Sequence, residues 1–188
     1  DNTGSGSIRG VELAYSQFYD MLPGAWSGLG LQLNYTYIDQ DGLEDPNINP
    51  DTPLRFDGTG EPIVDNRNTF RQFTGLGLES YSDQNFNVAG IYEKYGFSAR
   101  LAYTWRSDYL LTLRESEEFV PAYSKAQSSM DASIFYDIND TFKVGLTVSN
   151  LLNHKTETQY QLNQEGDRTE AYDFQTDRLY ALKVSAKF

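Results

Sequence analysis

The chain holds one histidine, His154, and no cysteine in 188 residues, a thin inventory for chemistry. Without thiols there is no disulfide frame, no thiolate metal site and no sulfur nucleophile. His154 has no nucleophile at a recognisable catalytic spacing and reads as a surface residue. Asp39-Gln-Asp-Gly-Leu-Glu-Asp45 opens like a calcium loop, but its fifth position is Leu43 and the distal glutamate is missing. A solvated acidic loop is the better reading. No catalytic residue, metal site or cofactor is expected. What remains is binding chemistry. Segment 39–71 carries Asp39, Asp41, Glu44, Asp45, Asp51, Asp57, Glu61 and Asp65 against Arg55, Arg67 and Arg71. Such a field repels anions and leaves neutral sugars or cations as ligands. Tyr109, Tyr123, Tyr160 and Tyr172 offer aromatic faces to sugar rings, although loop tyrosines also serve plain packing. The candidate ligand-binding residues are Arg55, Tyr109, Tyr123 and Tyr160.

Something must hold those segments, and the last nine residues indicate what. Tyr180, Leu182, Val184, Ala186 and Phe188 alternate with Lys183, Ser185 and Lys187. Period-2 alternation is a β-strand with one apolar and one wet face. The same reading gives about seven long strands, near 8–19, 28–38, 85–94, 97–106, 130–138, 142–152 and 176–188. One face of the set carries Val11, Leu13, Leu31, Leu33, Val88, Leu101, Ile134 and Leu146 and no charge; the other carries Glu12, Gln32, Asn87, Arg100, Asp131 and Lys143. A soluble sandwich would also alternate, but its strands average about five or six residues. These approach the ~10 that cross a bilayer at barrel tilt. Tyr35, Tyr37, Tyr103 and Trp105 gather at one strand end and Tyr19, Tyr92, Phe97, Tyr136, Phe142 and Phe188 at the other, which suits interfacial girdles. Mean hydropathy is −0.58, a value that alternating membrane strands also produce. A net charge of −12 argues against nucleic acid as a partner.

The connections alternate as well. Those at 20–27, 95–96 and 139–141 are short, and those at 39–84, 107–129 and 153–175 are long and polar. Short turns on one side and long loops on the other is the outer-membrane pattern, with turns periplasmic and loops extracellular. The two-residue turn Tyr95-Gly96 pairs Lys94 with Phe97, and hence Gly90 with Leu101 and Phe86 with Trp105. A one-residue slip would turn Arg100 toward lipid, at roughly 2–4 kcal/mol near the midplane. Arg100 is expected to bond Asp131 or Asp137 inside the wall. Seven is an awkward count, since single-chain bacterial barrels have even numbers of strands. Either 70–79 supplies an eighth strand, or the chain is part of a larger barrel, which its start at Asp1 without Met favours.

Several stretches look familiar together: Arg9-Gly-Val-Glu-Leu13, Phe18-Tyr-Asp-Met-Leu-Pro-Gly24, Asn34-Tyr-Thr-Tyr37, and Tyr92 to Tyr103. Trp105-Arg-Ser107, Met130-Asp-Ala-Ser133, Tyr136-Asp-Ile-Asn139, Asn150-Leu-Leu-Asn153 and the terminal Phe188 follow in order. In this order and spacing the chain resembles the carboxy-terminal part of a TonB-dependent outer-membrane receptor, and most of all the proteobacterial branch tied to saccharide uptake. Asp177-Arg-Leu-Tyr180 and Ala186 depart from that pattern without threatening the fold.

The resemblance implies an all-β, antiparallel transmembrane barrel segment over 1–188, with the amino-terminal plug absent. It implies a transporter for a bulky solute, an oligosaccharide by charge. The alternatives are a ferric-siderophore receptor, or a complete eight-stranded structural or adhesive barrel. The implied partners are outer-membrane lipid and lipopolysaccharide, TonB through the plug of the parent, and the barrel-assembly machinery. That machinery would read Tyr180, Leu182, Val184 and Phe188 as an assembly signal. The carboxy terminus would be periplasmic.

Overall fold

In a computed structural model of the chain, the residues described are 5–44, 59, 76–115, 120–162 and 165–187. They form eleven strands: β1 (Ser5–Phe18), β2 (Leu29–Glu44), β3 (Gln84–Lys94), β4 (Phe97–Arg106), β5 (Tyr109–Glu115), β6 (Val120–Ser124), β7 (Gln127–Asp137), β8 (Phe142–Ser149), β9 (Lys155–Gln161), β10 (Arg168–Gln175) and β11 (Leu179–Ala186). Every pairing is antiparallel. Among the described residues no helix is long and apolar enough to cross a membrane, which says nothing about crossing by strands.

Seven strands make one wall, in the order β1-β2-β3-β4-β7-β8-β11. These are the seven strands that the alternation predicts. The hairpin register is the predicted one, with Lys94 opposite Phe97, Gly90 opposite Leu101 and Phe86 opposite Trp105. Tyr95 and Gly96 adopt φ of 55° and 78°, the paired left-handed geometry that a two-residue hairpin turn requires. Apolar residues line up in rows across the strands. One runs Leu29, Tyr92, Ala99, Ile134, Leu146, Leu182. The next runs Leu31, Gly90, Leu101, Ala132, Val148, Tyr180. Leu101, Ile134, Leu182 and Val184 are exposed, the last two at 75% and 71%. A contiguous apolar face of this kind is far more than soluble monomers present to water.

The opposite face carries Gln32, Asn34, Asn87, Thr104, Asp131 and Lys143 in matching rows. Arg100 donates from Nη1 to Gln32 Oε1 at 3.1 Å. The expected aspartate partners are engaged elsewhere: Asp131 accepts the Asn150 N–H, and Asp137 meets Lys143 at 3.1 Å. Gly145 lies under the Phe135 ring of the neighbouring strand, an aromatic filling the space a glycine leaves.

The connections differ from expectation. The short side holds: a 3-10 turn over Gly24–Gly28, the Tyr95-Gly96 hairpin, and a turn in which Asn139 Oδ1 accepts the N–H groups of Thr141 and Phe142. The long ones are not plain loops. Segment 107–129 contains β5 and β6, and 153–175 contains β9 and β10; together they form a four-stranded sheet in the order β10-β9-β6-β5. Strand β2 continues to Glu44, so the acidic loop expected from Asp39 is extended strand over Asp39–Glu44, and Asp45 lies outside the described residues. The eighth strand expected at 70–79 is absent over its described part, Leu76–Glu79, and residues 70–75 lie outside the described residues. Arg55 and Phe188 lie outside them as well.

Candidate functional site

The four-stranded sheet, called here the distal sheet, stands on the long-connection side of the wall and brings the tyrosines together. Tyr109 opens β5, Tyr123 lies on β6, Tyr160 on β9 and Tyr172 on β10. Cross-strand pairing sorts them by face. Tyr109, Ser124, Thr158 and Tyr172 form one row, and Ala122 with Tyr160 lies on the same face. Tyr123 shares the opposite face with Leu110, Gln159 and Glu170. The middle of the sheet is the best-buried part of the described chain. Ala122 is 0% exposed, and Leu110, Pro121, Ser124, Thr158 and Gln161 are also buried.

Two guanidiniums that the sequence reading did not single out cover two of the candidate rings. Arg106 lies 3.7 Å from the Tyr109 ring centroid, and Arg168 lies 3.6 Å from that of Tyr123. Arg168 also meets Asp108 at 2.9 Å. Burial pushes the Tyr123 phenol above its ordinary value; the charge of Arg168 and its hydrogen bond oppose the rise, and Asp108 adds to it. Along the Tyr123 face runs a charged ladder: Lys125 bonds Glu157 at 3.2 Å and Lys155 bonds Asp173 at 3.0 Å. The hydrogen bond to Asp173 raises the Lys155 ammonium above its usual value, desolvation opposes this, and the charges of Asp173, Glu157 and Glu170 reinforce it.

The distal sheet is tied to the wall at two knots. In one, Arg106 Nε donates to Ser82 Oγ at 2.8 Å and Nη2 to the Ser80 carbonyl at 3.3 Å, while Ser82 Oγ donates to the Ser107 carbonyl. In the other, Asn150 sits at φ 55°, donates its N–H to Asp131 Oδ1 and its side-chain amide to the Thr176 carbonyl, and accepts the His154 N–H at 2.9 Å. Arg178 closes that knot on the Leu151 carbonyl at 2.9 Å. His154 is therefore no free surface residue: it is part-buried, and its Nε2 is buried without a hydrogen-bond partner among the described residues. Both knots are built from stretches quoted above, Trp105-Arg-Ser107 and Asn150-Leu-Leu-Asn153.

At one edge of the wall, Tyr180, Leu182 and Val184 point from β11 to the apolar face, all strongly exposed. Strand β11 pairs β8 and is an outer strand of the wall. Among the described residues no group of three or more His, Cys, Asp or Glu is arranged to hold a metal ion.

The search of curated proteins found no match. Among solved structures, the siderophore receptor PiuA from Acinetobacter baumannii is similar at a TM-score of 0.60 and 16% sequence identity. The likeness covers 100% of this chain and 22% of that one, and at this identity it speaks for the fold alone. The family model described as TonB dependent receptor-like, beta-barrel, matches residues 1–151. With four-fifths of its length matched, the chain belongs to the β-barrel family of TonB-dependent receptors.

Proposed function

We propose that the chain is the carboxy-terminal part of the barrel of an outer-membrane transporter that takes up a bulky solute using energy delivered through TonB. The observation that carries this is the wall itself: one face is a continuous exposed apolar surface, the other polar, in a chain of this receptor family. TonB would act through an amino-terminal plug of the complete receptor. The apolar face would meet outer-membrane lipid and lipopolysaccharide. The short turns would lie in the periplasm with the carboxy terminus, and the distal sheet outside the cell. The barrel-assembly machinery would read β11 through Tyr180, Leu182, Val184 and Phe188. No role for nucleic acid or for enzymatic chemistry enters this reading.

For the solute we favour a neutral oligosaccharide. Segment 39–71 places eight carboxylates against three guanidiniums, and capture would rest on stacking and hydrogen bonds from Arg55, Tyr109 and Tyr160; Tyr123, first counted with them, is buried beneath Arg168 on the other face of the sheet. A ferric-siderophore receptor is the second reading, supported by the resemblance to a structure described as a siderophore receptor. Uptake by cells carrying the complete receptor distinguishes them. TonB-dependent growth on an oligosaccharide, with a raised half-saturating concentration for Tyr160→Ala, supports the first. Iron-regulated expression and ferric-siderophore uptake without a sugar phenotype refute it in favour of the second.

A further inference from the structure

The two long connections that build the distal sheet lie far apart in sequence, one between β4 and β7 and the other between β8 and β11. Among the described residues their backbones meet along β6 and β9, in the pairs Ala122–Tyr160, Tyr123–Gln159 and Ser124–Thr158, with one further bond from the Lys125 N–H to the Glu157 carbonyl at 2.9 Å. The β9–β10 hairpin has seven pairs of its own. So short a seam is weak for joining two arms, and side chains add to it. Arg168 leaves β10, an outer strand, passes over β9 and reaches the other connection. There its Nη1 lies 2.9 Å from Asp108 Oδ2 and its guanidinium plane covers Tyr123. Reaching from one outer strand to the residue just before the other requires the sheet to curl toward this face. Lys125 crosses the seam in the reverse direction, to Glu157 at 3.2 Å and Glu170 at 3.8 Å.

We propose that Arg168 is a strap that fastens the two connections into one moving body. A guanidinium suits this task because it ion-pairs through its edge and stacks through its face at the same time. Tyr123, at 7% exposure, gives it a fixed surface to lie on. An ammonium could keep the charge but not the stacked plane. With the strap in place, motion at the rim is shared by β4, β7, β8 and β11 together, since each of these strands leads into or out of the strapped body. The fastening does not rest on the function proposed above.

The test uses the complete receptor in detergent with nitroxide labels at Ala126 in one connection and Glu165 in the other, and reads their distance distribution by pulsed electron resonance. The unaltered strap should give one narrow distribution. Arg168→Met, which keeps the chain length, should broaden it and move it to longer distance. Arg168→Lys should do so partially, and Asp108→Asn added to Arg168→Met should change nothing further, because both remove the same fastening. Distributions for Arg168→Met and Arg168→Lys that superimpose on the original would overturn the strap. Neither result depends on sidedness or on a solute, so the strap can fail while the transport reading stands.

Discussion

Leu101 is the point at which lipid facing has the largest measurable consequence. It sits midway along β4, is 50% exposed on the apolar face, and is flanked by Gly90 and Ala132. Nothing lies within 4 Å of where a Cβ on Gly90 would be, so no neighbour could shelter a charge placed beside it. Leu101→Arg therefore puts a guanidinium near the bilayer midplane at a cost of about 2–4 kcal/mol. That is a loss of roughly 30- to 900-fold in the folding equilibrium. Thr104→Arg is the control: Thr104 is exposed on the polar face between Asn87 and Ser129, and the change should stay within about 0.5 kcal/mol. Along the same strand the cost should fall to about 0–1 kcal/mol for Phe97→Arg and Trp105→Arg, near the two interfaces. Denaturant titration of the complete receptor in phospholipid vesicles, followed by the gel-mobility shift of the folded barrel, reads these differences. Equal losses for Leu101→Arg and Thr104→Arg would refute the assignment of faces.

Three further outcomes follow from particular contacts. Gly145→Val would drive a side chain into the Phe135 ring, which should cost about 1–3 kcal/mol, and Phe135→Ala in the same chain should recover most of it; vesicle denaturation checks both. At Asn150, glycine keeps the left-handed backbone while deleting the side-chain bonds, whereas alanine also adds about 1–2 kcal/mol of strain. Exchange of the His154 amide should therefore quicken in Asn150→Gly and more so in Asn150→Ala; equal rates in all three would count against the knot. The third concerns alkaline pH. The Tyr123 phenol and the Lys155 ammonium both hold their protons more tightly in the folded chain than in the unfolded one. Their contribution is whole below the ordinary values of 10.0 and 10.5, and it fades above these as the unfolded chain loses its protons first. Ultraviolet titration of wild type minus Tyr123→Phe should show a tyrosinate transition later than that of an exposed tyrosine; an ordinary midpoint would contradict this burial.

The wall was legible in the sequence because lipid on one side and polar surface on the other impose the strongest two-residue contrast a strand can carry. Gly90 opposite Leu101 and the Tyr95-Gly96 turn then pinned the register with local information alone. The distal sheet had no such contrast. In Lys155–Gln161 threonines alternate with Glu and Gln, polar beside polar, and only the β-branched and aromatic content of Thr156, Thr158, Tyr160, Tyr172 and Phe174 marked strands there. The β6–β9 pairing joins segments more than thirty residues apart, which no local pattern announces. Charge alone points Arg100 to an aspartate, but the sheet offers it Gln32, two strands away across β3 on the same face. Tyr109 and Tyr123 were legible as aromatics, while the arginines over their rings come from a separate strand end and a separate hairpin.

The central claim is that one face of the seven-stranded wall meets lipid. Nitroxides placed one at a time from Phe97 to Arg106, with collision rates measured against dissolved oxygen and a water-soluble nickel chelate, test it most directly. Oxygen should dominate at Phe97, Ala99, Leu101, Tyr103 and Trp105 and the chelate at the positions between, with the contrast greatest near Leu101. Equal accessibility to the chelate on both faces, or the reverse alternation, would contradict the account.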